Sequence, residues 1–427
     1  MISKCRPACA TLVAVMIAVS VSSADALTWT CEGIVRKGTN DPAVVDAFFG
    51  GKFGKKRHGG PAINSSGDVT FFATPKGGPR RLYLYPNVGA PSVLAEQGGA
   101  APGGGSFSQF RQPSINDGGD VGFFGDLASG EGVFLKPAAG AMFAVALTGD
   151  AAPGGGVYAS FDGVSRINGN GDIAFLASVD GGPSGIFQYD GVTTIISSIV
   201  RVGDPTLDGR EICGFVEPAV GLGATRSTFQ TVTKVSCANA LETELIGIYR
   251  DTGAGIGRVA LAGDATPVGG TVYSNFYGDP DSNGGDQVLF RASISGTVGG
   301  VGLFLFDPIG ATTTVLVRTG DSAVGGGAFR TITEPNLTDP SRAGFRANIK
   351  DDPLNSHEGI YLYDGVDEFV VRRTSPVPAD IFIPGSSYRK IFEEIGVSRS
   401  GTWVTYSATV KETGGGSKIG LFRCEGN

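Results

Sequence analysis

The sequence predicts an all-β protein, a seven-bladed β-propeller with four-stranded blades whose ring is closed by the N-terminal strand. Three observations support this fold class. A segment of about 55 residues recurs seven times, each copy contains short apolar runs, and glycine accounts for 69 of the 427 residues. Glycine inside a helix costs about 1 kcal/mol per residue, which disfavours a helical bundle. Repeated four-stranded units stacked around an axis are typical of propeller blades.

The repeat is anchored on the motif Asn-x-x-Gly-Asp-x-x-Phe, which is clearest in the first half of the chain. The seven copies end, in chain order, at Phe71, Phe123, Phe175, Phe229, Phe290, Phe345 and Thr405. Asn and Gly tolerate the left-handed backbone conformation, and an Asp side chain bonds nearby backbone groups. The motif therefore predicts a tight turn that leads into a strand.

Each copy of the repeat predicts four strands. The first contains Phe-x-x-Phe (107–110), the second ends the motif, the third reads Gly-Ile-Phe-x-Tyr (185–189), and the fourth reads Val-Ala-Leu (145–147) before a Gly-Asp turn. Both faces of the second strand are apolar in residues 173–177, as expected for a sheet covered on both sides. The Gly-Asp turns recur once per blade, which indicates a structural role; they contain Asp150, Asp204, Asp264 and Asp321.

One segment, Tyr388 to Ile395, is the sole candidate for a short helix. It lacks capping residues, and no other window shows a convincing helical period.

The seventh copy ends two strands after its motif, at Cys424. Residues 33–38 have the pattern of a fourth strand, so the N-terminal segment is expected to supply the outer strand of the seventh blade. Cys31 and Cys424 would then lie on neighbouring strands, at the separation that a disulfide prefers. Cys213 and Cys237 form the second expected pair, near the junction of the third and fourth blades. Two unpaired thiols are the main alternative to this connectivity.

Residues 1–26 have the features of a secretory signal peptide. Lys4 and Arg6 precede an apolar run from Ala8 to Val21, and Ala24-Asp25-Ala26 resembles a cleavage site. The run is shorter than the roughly 20 residues that a membrane-spanning helix needs. We therefore expect a secreted or periplasmic protein without a membrane span, in which residues 27–427 form a single propeller domain.

The net charge is −7, which argues against nucleic acid as a partner. One basic cluster, residues 55–58, is expected to be a solvated loop. We expect a monomer whose partner is a protein or a glycan.

Calcium is the one cofactor that the sequence suggests. Asn168, Asn170 and Asp172 have the alternating spacing of an oxygen-ligand loop, and Asp281, Asn283 and Asp286 are the second-best group. The turn interpretation is favoured over metal binding because other copies lose the middle ligand. The glycine-rich segments 101–105 and 152–156 are followed by strands and lack a Walker pattern, so no phosphate site is predicted.

No catalytic residues are predicted. His58 and His357 are the two histidines, and both are expected in polar loops, where either could act as a base beside Glu358 or Asp352. No Gly-x-Ser-x-Gly motif indicates a hydrolase.

Where the motif reads Asn-x-x-Gly-x-x-x-Phe, the chain resembles the bacterial exported tandem-repeat proteins that are named for it. The full matches are Asn64/Gly67/Phe71, Asn116/Gly119/Phe123 and Asn168/Gly171/Phe175, while the fifth copy has Asp286 in place of Gly. The resemblance implies an exported protein of a group without an established function. The repeat plan is also similar to that of TolB-type propellers, which implies protein binding in the periplasm.

The leading hypothesis is an exported, non-catalytic propeller that binds a protein, peptide or glycan through loops on one face. Departures from the repeat indicate where to look: Thr206 to Glu211 with the Cys213/Cys237 pair, Asp351 to Glu358, and Pro376 to Pro384. One alternative is a polysaccharide lyase or hydrolase with its site at the propeller funnel. Another is a calcium-stabilised structural or adhesive protein.

Overall fold

A computed structural model describes residues 29–36, 60–75, 78–223, 225–324, 326–339, 341–350, 356–363, 367–372, 375, 377–378 and 385–426. The predicted signal peptide, the basic cluster at residues 55–58 and His58 lie outside the described residues. The signal peptide and the boundary at residue 27 therefore stay predictions.

The described residues form seven four-stranded antiparallel sheets, which are the blades of a β-propeller. Blades 1 to 4, each from inner to outer strand, are β2–β5 (Ala62–Ile63, Val69–Ala73, Arg81–Tyr85, Ser92–Glu96), β6–β9 (Phe107–Ile115, Val121–Leu127, Gly130–Lys136, Phe143–Leu147), β10–β13 (Val157–Ile167, Ile173–Asp180, Gly185–Tyr189, Ile196–Arg201) and β14–β17 (Glu211–Leu222, Ser227–Lys234, Leu245–Asp251, Ile256–Leu261). Blades 5 to 7 are β18–β21 (Thr271–Ser282, Val288–Gly296, Gly300–Asp307, Thr312–Arg318), β22–β25 (Ala328–Leu337, Ala343–Lys350, Ser356–Tyr363, Asp367–Arg372) and β26, β27, β28 and β1 (Ser387–Val397, Trp403–Lys411, Ser417–Gly426, Trp29–Arg36). The predicted fold class is confirmed.

The inner strands of neighbouring blades lie against one another all round the ring and surround a central channel. Successive strands of a blade run antiparallel, so the connections alternate between two faces. We call the face with the inner-to-second and third-to-outer turns the turn face. The face with the second-to-third loops and the linkers between blades is the loop face.

The N-terminal strand closes the ring, as predicted. β1 pairs with β28, and Cys31 lies directly opposite Cys424 in the register. The two cysteines form a disulfide, and Cys424 is fully buried. The chain ends are thus joined by a strand pair and by a covalent bond in the same blade.

A buried arginine stabilises the contact between this seventh blade and blade 1. The guanidinium of Arg423 lies over the rings of Trp403 and Tyr85, pairs with Glu32, and donates to the carbonyl of Gly67 at 2.8 Å. Cation–π contacts and charge-assisted hydrogen bonds are strongest where water is excluded. Arg423 therefore joins β1, β27, β28 and the first blade at the point of closure.

The core of six blades contains an aromatic side chain of the second strand stacked on one of the third strand, as in Phe175–Phe187 and Phe290–Phe304, whereas in blade 4 Phe229 of the second strand contacts Phe215 of the inner strand edge-on. In blade 7 the stacked pair is Tyr406–Phe422. The expected anchor Thr405 is therefore wrong by one residue. The reason is the preceding turn, in which the nitrogen of Ser398 bonds the carbonyl five residues later, whereas in blade 3 the same bond spans four residues.

The helix considered at Tyr388 to Ile395 is also wrong, because these residues belong to β26. Two extra residues between Ile391 and Ile395 form a β-bulge, which breaks the strict alternation of a strand and suggests a helical period. Among the described residues we find no helix with the length and apolar character that crossing a membrane requires.

Candidate functional site: the central channel and its two faces

The repeated asparagine joins neighbouring blades at the turn face. The side-chain nitrogens of Asn64, Asn116 and Asn168 donate to the main-chain carbonyls of Asn116, Asn168 and Gly223 in the next blade, at 3.2, 3.0 and 3.3 Å. Asn283 makes the same contact with Thr338 at 3.3 Å. The motif therefore has a role between blades as well as within its own turn.

Other groups complete this circle of contacts. The hydroxyls of Thr228 and Ser282 bond at 2.7 Å between blades 4 and 5. The nitrogen of Asp339 donates to the carbonyl of Arg399 between blades 6 and 7, and the nitrogen of Ser400 donates to the hydroxyl of Ser65 between blades 7 and 1. Every junction between blades thus has a hydrogen bond at the turn face.

Within blade 3 the predicted calcium residues form the turn itself. Asn168 Oδ1 accepts from the nitrogens of Asn170 and Asp172, and its nitrogen donates to Asp172 Oδ2 at 2.8 Å. Asp172 Oδ1 accepts from the nitrogen of Gly191. These bonds engage the oxygens of Asn168 and Asp172 in the fold, and calcium binding by this group stays an untested prediction.

In the second predicted calcium group, the side-chain oxygens of Asp281 and Asn283 also accept hydrogen bonds from main-chain nitrogens. The carboxylate of Asp281, which is buried, accepts from the nitrogens of Leu337 and Ser282, both at 2.8 Å. Asn283 Oδ1 accepts from the nitrogens of Gly285 and Gln287. No group of three His, Cys, Asp or Glu suited to a metal ion occurs within the described part of the chain.

Arg399 crosses the channel at the turn face. It lies in the lengthened turn of blade 7, and its guanidinium donates to the carbonyls of Ser282 in blade 5 and Leu222 in blade 4, both at 2.8 Å. Its own carbonyl accepts from blade 6. One side chain therefore contacts the opposite side of the ring, and it narrows this end of the channel.

The channel wall is shaped by bulges in the inner strands. In blades 2, 3, 5 and 6 the register shifts opposite an aromatic residue of the second strand, and in blades 4 and 7 it shifts opposite the next residue, Gln230 or Ser407. The extra residues fall at the unpaired edge of the inner strand, which borders the channel. The residues between the paired positions are 112–113, 163–165, 216–219, 278–280, 334–335 and 392–394.

Four of these bulges share an acidic or amide residue followed by proline. A proline inside a sheet is confined to edges and bulges because it lacks an N–H donor. Glu217, Asp279 and Glu334 therefore lie in inner-strand bulges of three consecutive blades, Gln112 lies in the bulge of blade 2, and Glu394 lies in the bulge of blade 7 without a following proline. The dipeptides Gln-Pro, Glu-Pro and Asp-Pro precede the turn motif and are the sequence signal of these bulges, which the repeat pattern alone does not reveal.

The preceding blade satisfies backbone groups next to the bulges. Arg291 and Arg346 donate to the carbonyls of Ile332 and Ile391, at 2.9 and 3.1 Å. Glu358 accepts from the nitrogen of Ile391 at 2.6 Å and pairs with Arg346 at 3.0 Å. A bulge leaves ladder groups unpaired, so these side chains replace the missing strand partner.

The loop face departs most from the repeat at blade 4. Residues 235–244 connect β15 to β16 and are joined to β14 by the Cys213–Cys237 disulfide. We call this segment the crosslinked loop. Both cysteines belong to blade 4, so the expected position at the junction with blade 3 is wrong, whereas the expected pairing is the one the structure contains.

Hydrogen bonds hold the crosslinked loop as well. The carboxylate of Glu242 accepts from the nitrogens of Val235 and Ser236, at 2.5 and 3.2 Å, and these bonds keep the pKa of Glu242 below its usual range. The nitrogen of Cys237 donates to Glu211 at 2.8 Å. The loop nevertheless presents aliphatic side chains to solvent, with Leu241 97% and Val235 61% exposed.

A family model, "Family of unknown function (DUF7453)", matches residues 34–373 and 226–423. The chain belongs to this family. No curated protein has significant sequence similarity to this chain. The resemblance to the Asn-x-x-Gly-x-x-x-Phe repeat proteins stays a prediction, because the description of the matching family model does not mention that motif.

Several solved structures are similar to this chain. The β-propeller domain of the trilobed protease from Pyrococcus furiosus, described as having an open velcro topology, is 9% identical, with 86% of this chain and 98% of that chain covered and a TM-score of 0.50. TolB from Acinetobacter baumannii is 12% identical over 71% of this chain and 65% of its own, just under two thirds, with a TM-score of 0.36. An ulvan lyase, a polysaccharide lyase, is 11% identical over 90% and 95%, with a TM-score of 0.44. At these identities the likeness is one of fold alone.

In this member of the family, His357 lies in β24, opposite Ile349, and not in a polar loop as expected. Its predicted neighbour Glu358 is engaged by Arg346 and by the nitrogen of Ile391. Asp352 and most of the segment Pro376 to Pro384 lie outside the described residues. The described part of the chain therefore does not bring these residues together at the channel.

The repeated Gly-Asp turns have the structural role expected of them. The carboxylates of Asp150, Asp204, Asp264 and Asp321 each accept from the main-chain nitrogen three residues earlier, at 2.7 to 2.9 Å. They fix the linker at the end of the outer strands of blades 2 to 5.

Proposed function

We propose that this protein is an exported, non-catalytic propeller that binds a protein or peptide through its loop face. The crosslinked loop is the observation that carries the proposal. Single exposed aliphatic residues are common on protein surfaces. Here, however, Leu241 and Val235 project from a segment held by a disulfide and by the Glu242 hydrogen bonds. A stiff loop loses little entropy when it binds, so its apolar side chains are suited to a partner surface.

Export is supported by the two disulfides, which persist in oxidising compartments. It also agrees with the signal-peptide features of residues 1–26. Amino-terminal sequencing of the protein recovered from the periplasm or the medium should begin at Leu27.

The test is a peptide and glycan array probed with residues 27–427 and with two variants. Leu241→Asp places a charge on the crosslinked loop, and Val192→Asp does the same at an exposed turn-face position of blade 3. We expect peptide ligands to lose about tenfold or more in affinity with Leu241→Asp, because charge in an apolar contact is costly. The Val192→Asp control should bind like the wild type.

Four results would contradict the proposal: an array without ligands, equal binding by both variants, binding confined to glycans, or cleavage of a polysaccharide by the purified protein. Cleavage would favour the alternative of a lyase or hydrolase, and binding confined to glycans would exclude a protein or peptide partner.

A further inference from the structure

The loop face of blades 6 and 7 carries a group of cationic side chains, which we call the basic patch. Each of them lies within four residues of the loop-face end of its strand, and all but Lys418, which is partly buried, are exposed. The patch consists of Arg330 and Lys350 in blade 6 and of Arg389, Lys390, Lys411 and Lys418 in blade 7.

The strand register brings the four cations of blade 7 together. Lys411 lies opposite Ser417, and Arg389 donates to the hydroxyl of that serine at 3.3 Å. Lys390 and Lys418 follow Arg389 and Ser417 in the chain. Neighbouring strands are about 4.8 Å apart and the rise is about 3.3 Å per residue, so the main chains at these four cations lie within about 15 Å of one another.

Blade 6 extends the patch. Lys350 lies opposite Ala328, and Arg330 is two residues further along the same inner strand. Arg330 and Arg389 occupy the same register irregularity near the start of their inner strands, and these two strands are in contact. The cations of the two blades therefore form one continuous surface.

None of these six cations forms an ion pair within the described part of the chain. Arg389 contacts a serine, and the ammonium of Lys390 lies 5.7 Å from the centre of the Phe392 ring. Two carboxylates near the patch are engaged or buried: Glu358 pairs with Arg346, and Glu412 is only 5% exposed. Like charges at close quarters raise one another's energy, and an anionic partner would remove this repulsion.

The patch contrasts with the rest of the protein, whose net charge is −7. On other blades, arginines with solvent-accessible side chains have a carboxylate within reach, as in the pairs Arg81–Glu96, Arg258–Asp208 and Arg318–Asp321. The unpaired positive charge is thus concentrated on one sector of the loop face, where it attracts an anionic partner selectively.

We propose that the basic patch binds an acidic segment of a protein partner. This inference rests on the proposed function, in which the same face of the ring binds a protein or peptide. Several cations spread over two blades match a run of carboxylates, whereas a single small anion is held by a few converging donors. Complementary charge fixes the orientation of a partner and accelerates its association. The crosslinked loop of blade 4 then supplies apolar contacts, and the basic patch supplies charged ones.

The experiment measures the binding of a fluorescent octaglutamate peptide to residues 27–427 by anisotropy, with octalysine as the charge-reversed probe. We expect octaglutamate to bind, octalysine not to bind, and the Kd to rise about fivefold or more between about 50 and about 200 mM salt. Lys390→Glu/Lys411→Glu should weaken octaglutamate binding by about tenfold or more, and Lys411→Glu alone by about threefold.

Two further variants are the controls. Lys136→Glu makes the same change of charge as Lys411→Glu at the turn-face end of β8, and it should alter the affinity by less than about twofold. Lys411→Arg keeps the charge and should bind octaglutamate like the wild type.

The inference is overturned if octaglutamate does not bind, or if Lys411→Glu and Lys136→Glu weaken it equally. It is also overturned if polygalacturonate, an anionic polysaccharide, binds more tightly than octaglutamate at the same number of carboxylates, which would assign the patch to a glycan. Leu241→Asp distinguishes this inference from the proposed function, because it should retain octaglutamate binding while array peptides lose affinity. If octaglutamate fails and array peptides still depend on Leu241, the basic patch is excluded and the proposed function is retained.

Discussion

At the scale of single residues, the structure tolerates departures from the repeat at the price of local strain. Asp286 takes the place of the motif glycine and adopts φ 55°, a conformation that L residues with side chains rarely adopt. Its Oδ1 is buried against Gly223, without a hydrogen-bond partner among the described residues. Burial raises the pKa of this carboxyl, although Arg250 and Arg226 act in the opposite direction.

Asp286→Gly should stabilise the protein by about 1 kcal/mol, because glycine adopts this backbone conformation without strain. The measurement is the free energy of unfolding in urea at pH 7. A loss of stability would show that the contacts of Asp286 outweigh its strain.

Asp286→Asn isolates the effect of charge. The raised pKa means that the folded state binds this proton more tightly than the unfolded state does. The contribution of Asp286 to stability therefore falls as the pH rises above the pKa that this carboxyl has in the unfolded chain. The advantage of Asn over Asp should therefore grow between pH 4 and pH 7 in urea titrations. An advantage that is constant with pH would contradict this account.

At the scale of elements, turns were easier to predict than strand irregularities. The Asn-x-x-Gly-Asp turn follows from the backbone preferences of three residue types, which act locally. The bulges depend on how an inner strand fits between two neighbours, so Tyr388 to Ile395 resembled a helix and the Glu-Pro and Asp-Pro pairs passed unnoticed. The contact of each asparagine with the next blade could not be predicted from local backbone preferences either, because it joins residues 52 or 55 positions apart.

Asn116→Ala should destabilise the protein by about 2–4 kcal/mol, because it removes bonds to Asp120 and to the carbonyl of Asn168. Asn87→Ala is the control, since Asn87 is exposed near the same face and its side chain is not needed for its bond to Asp68. Thermal and urea unfolding of both variants measure the difference. Similar losses in the two would argue against the role of the asparagine between blades.

At the scale of the whole molecule, the fold could be predicted because its repeats are visible in the chain. The closure by residues 29–36 followed from an incomplete seventh copy and from the position of Cys31. The seventh anchor was displaced because the turn of blade 7 has an extra residue, the same lengthened turn from which Arg399 crosses the channel. Sequence alone gives no distance across a ring. Neither the contacts of Arg399 across the channel nor the positions of the bulges could therefore be predicted.

The two disulfides should differ in their contribution to stability. Their cysteines are 393 and 24 residues apart, and chain entropy favours the longer loop, by about 6 against about 3.5 kcal/mol. Cys31→Ser/Cys424→Ser should therefore lower the free energy of unfolding more than Cys213→Ser/Cys237→Ser. Equal losses, measured by urea unfolding under non-reducing conditions, would show that strand pairing alone closes the ring.

The pairing of Trp29 with Gly426 has a consequence for engineering. Because the first and last described residues are strand neighbours, a short peptide can connect them without crossing the molecule. The gene could then be opened at an exposed turn between other strands, such as residues 138–141, to give a circular permutant. Such a permutant would retain every blade while moving the new termini away from the original point of closure.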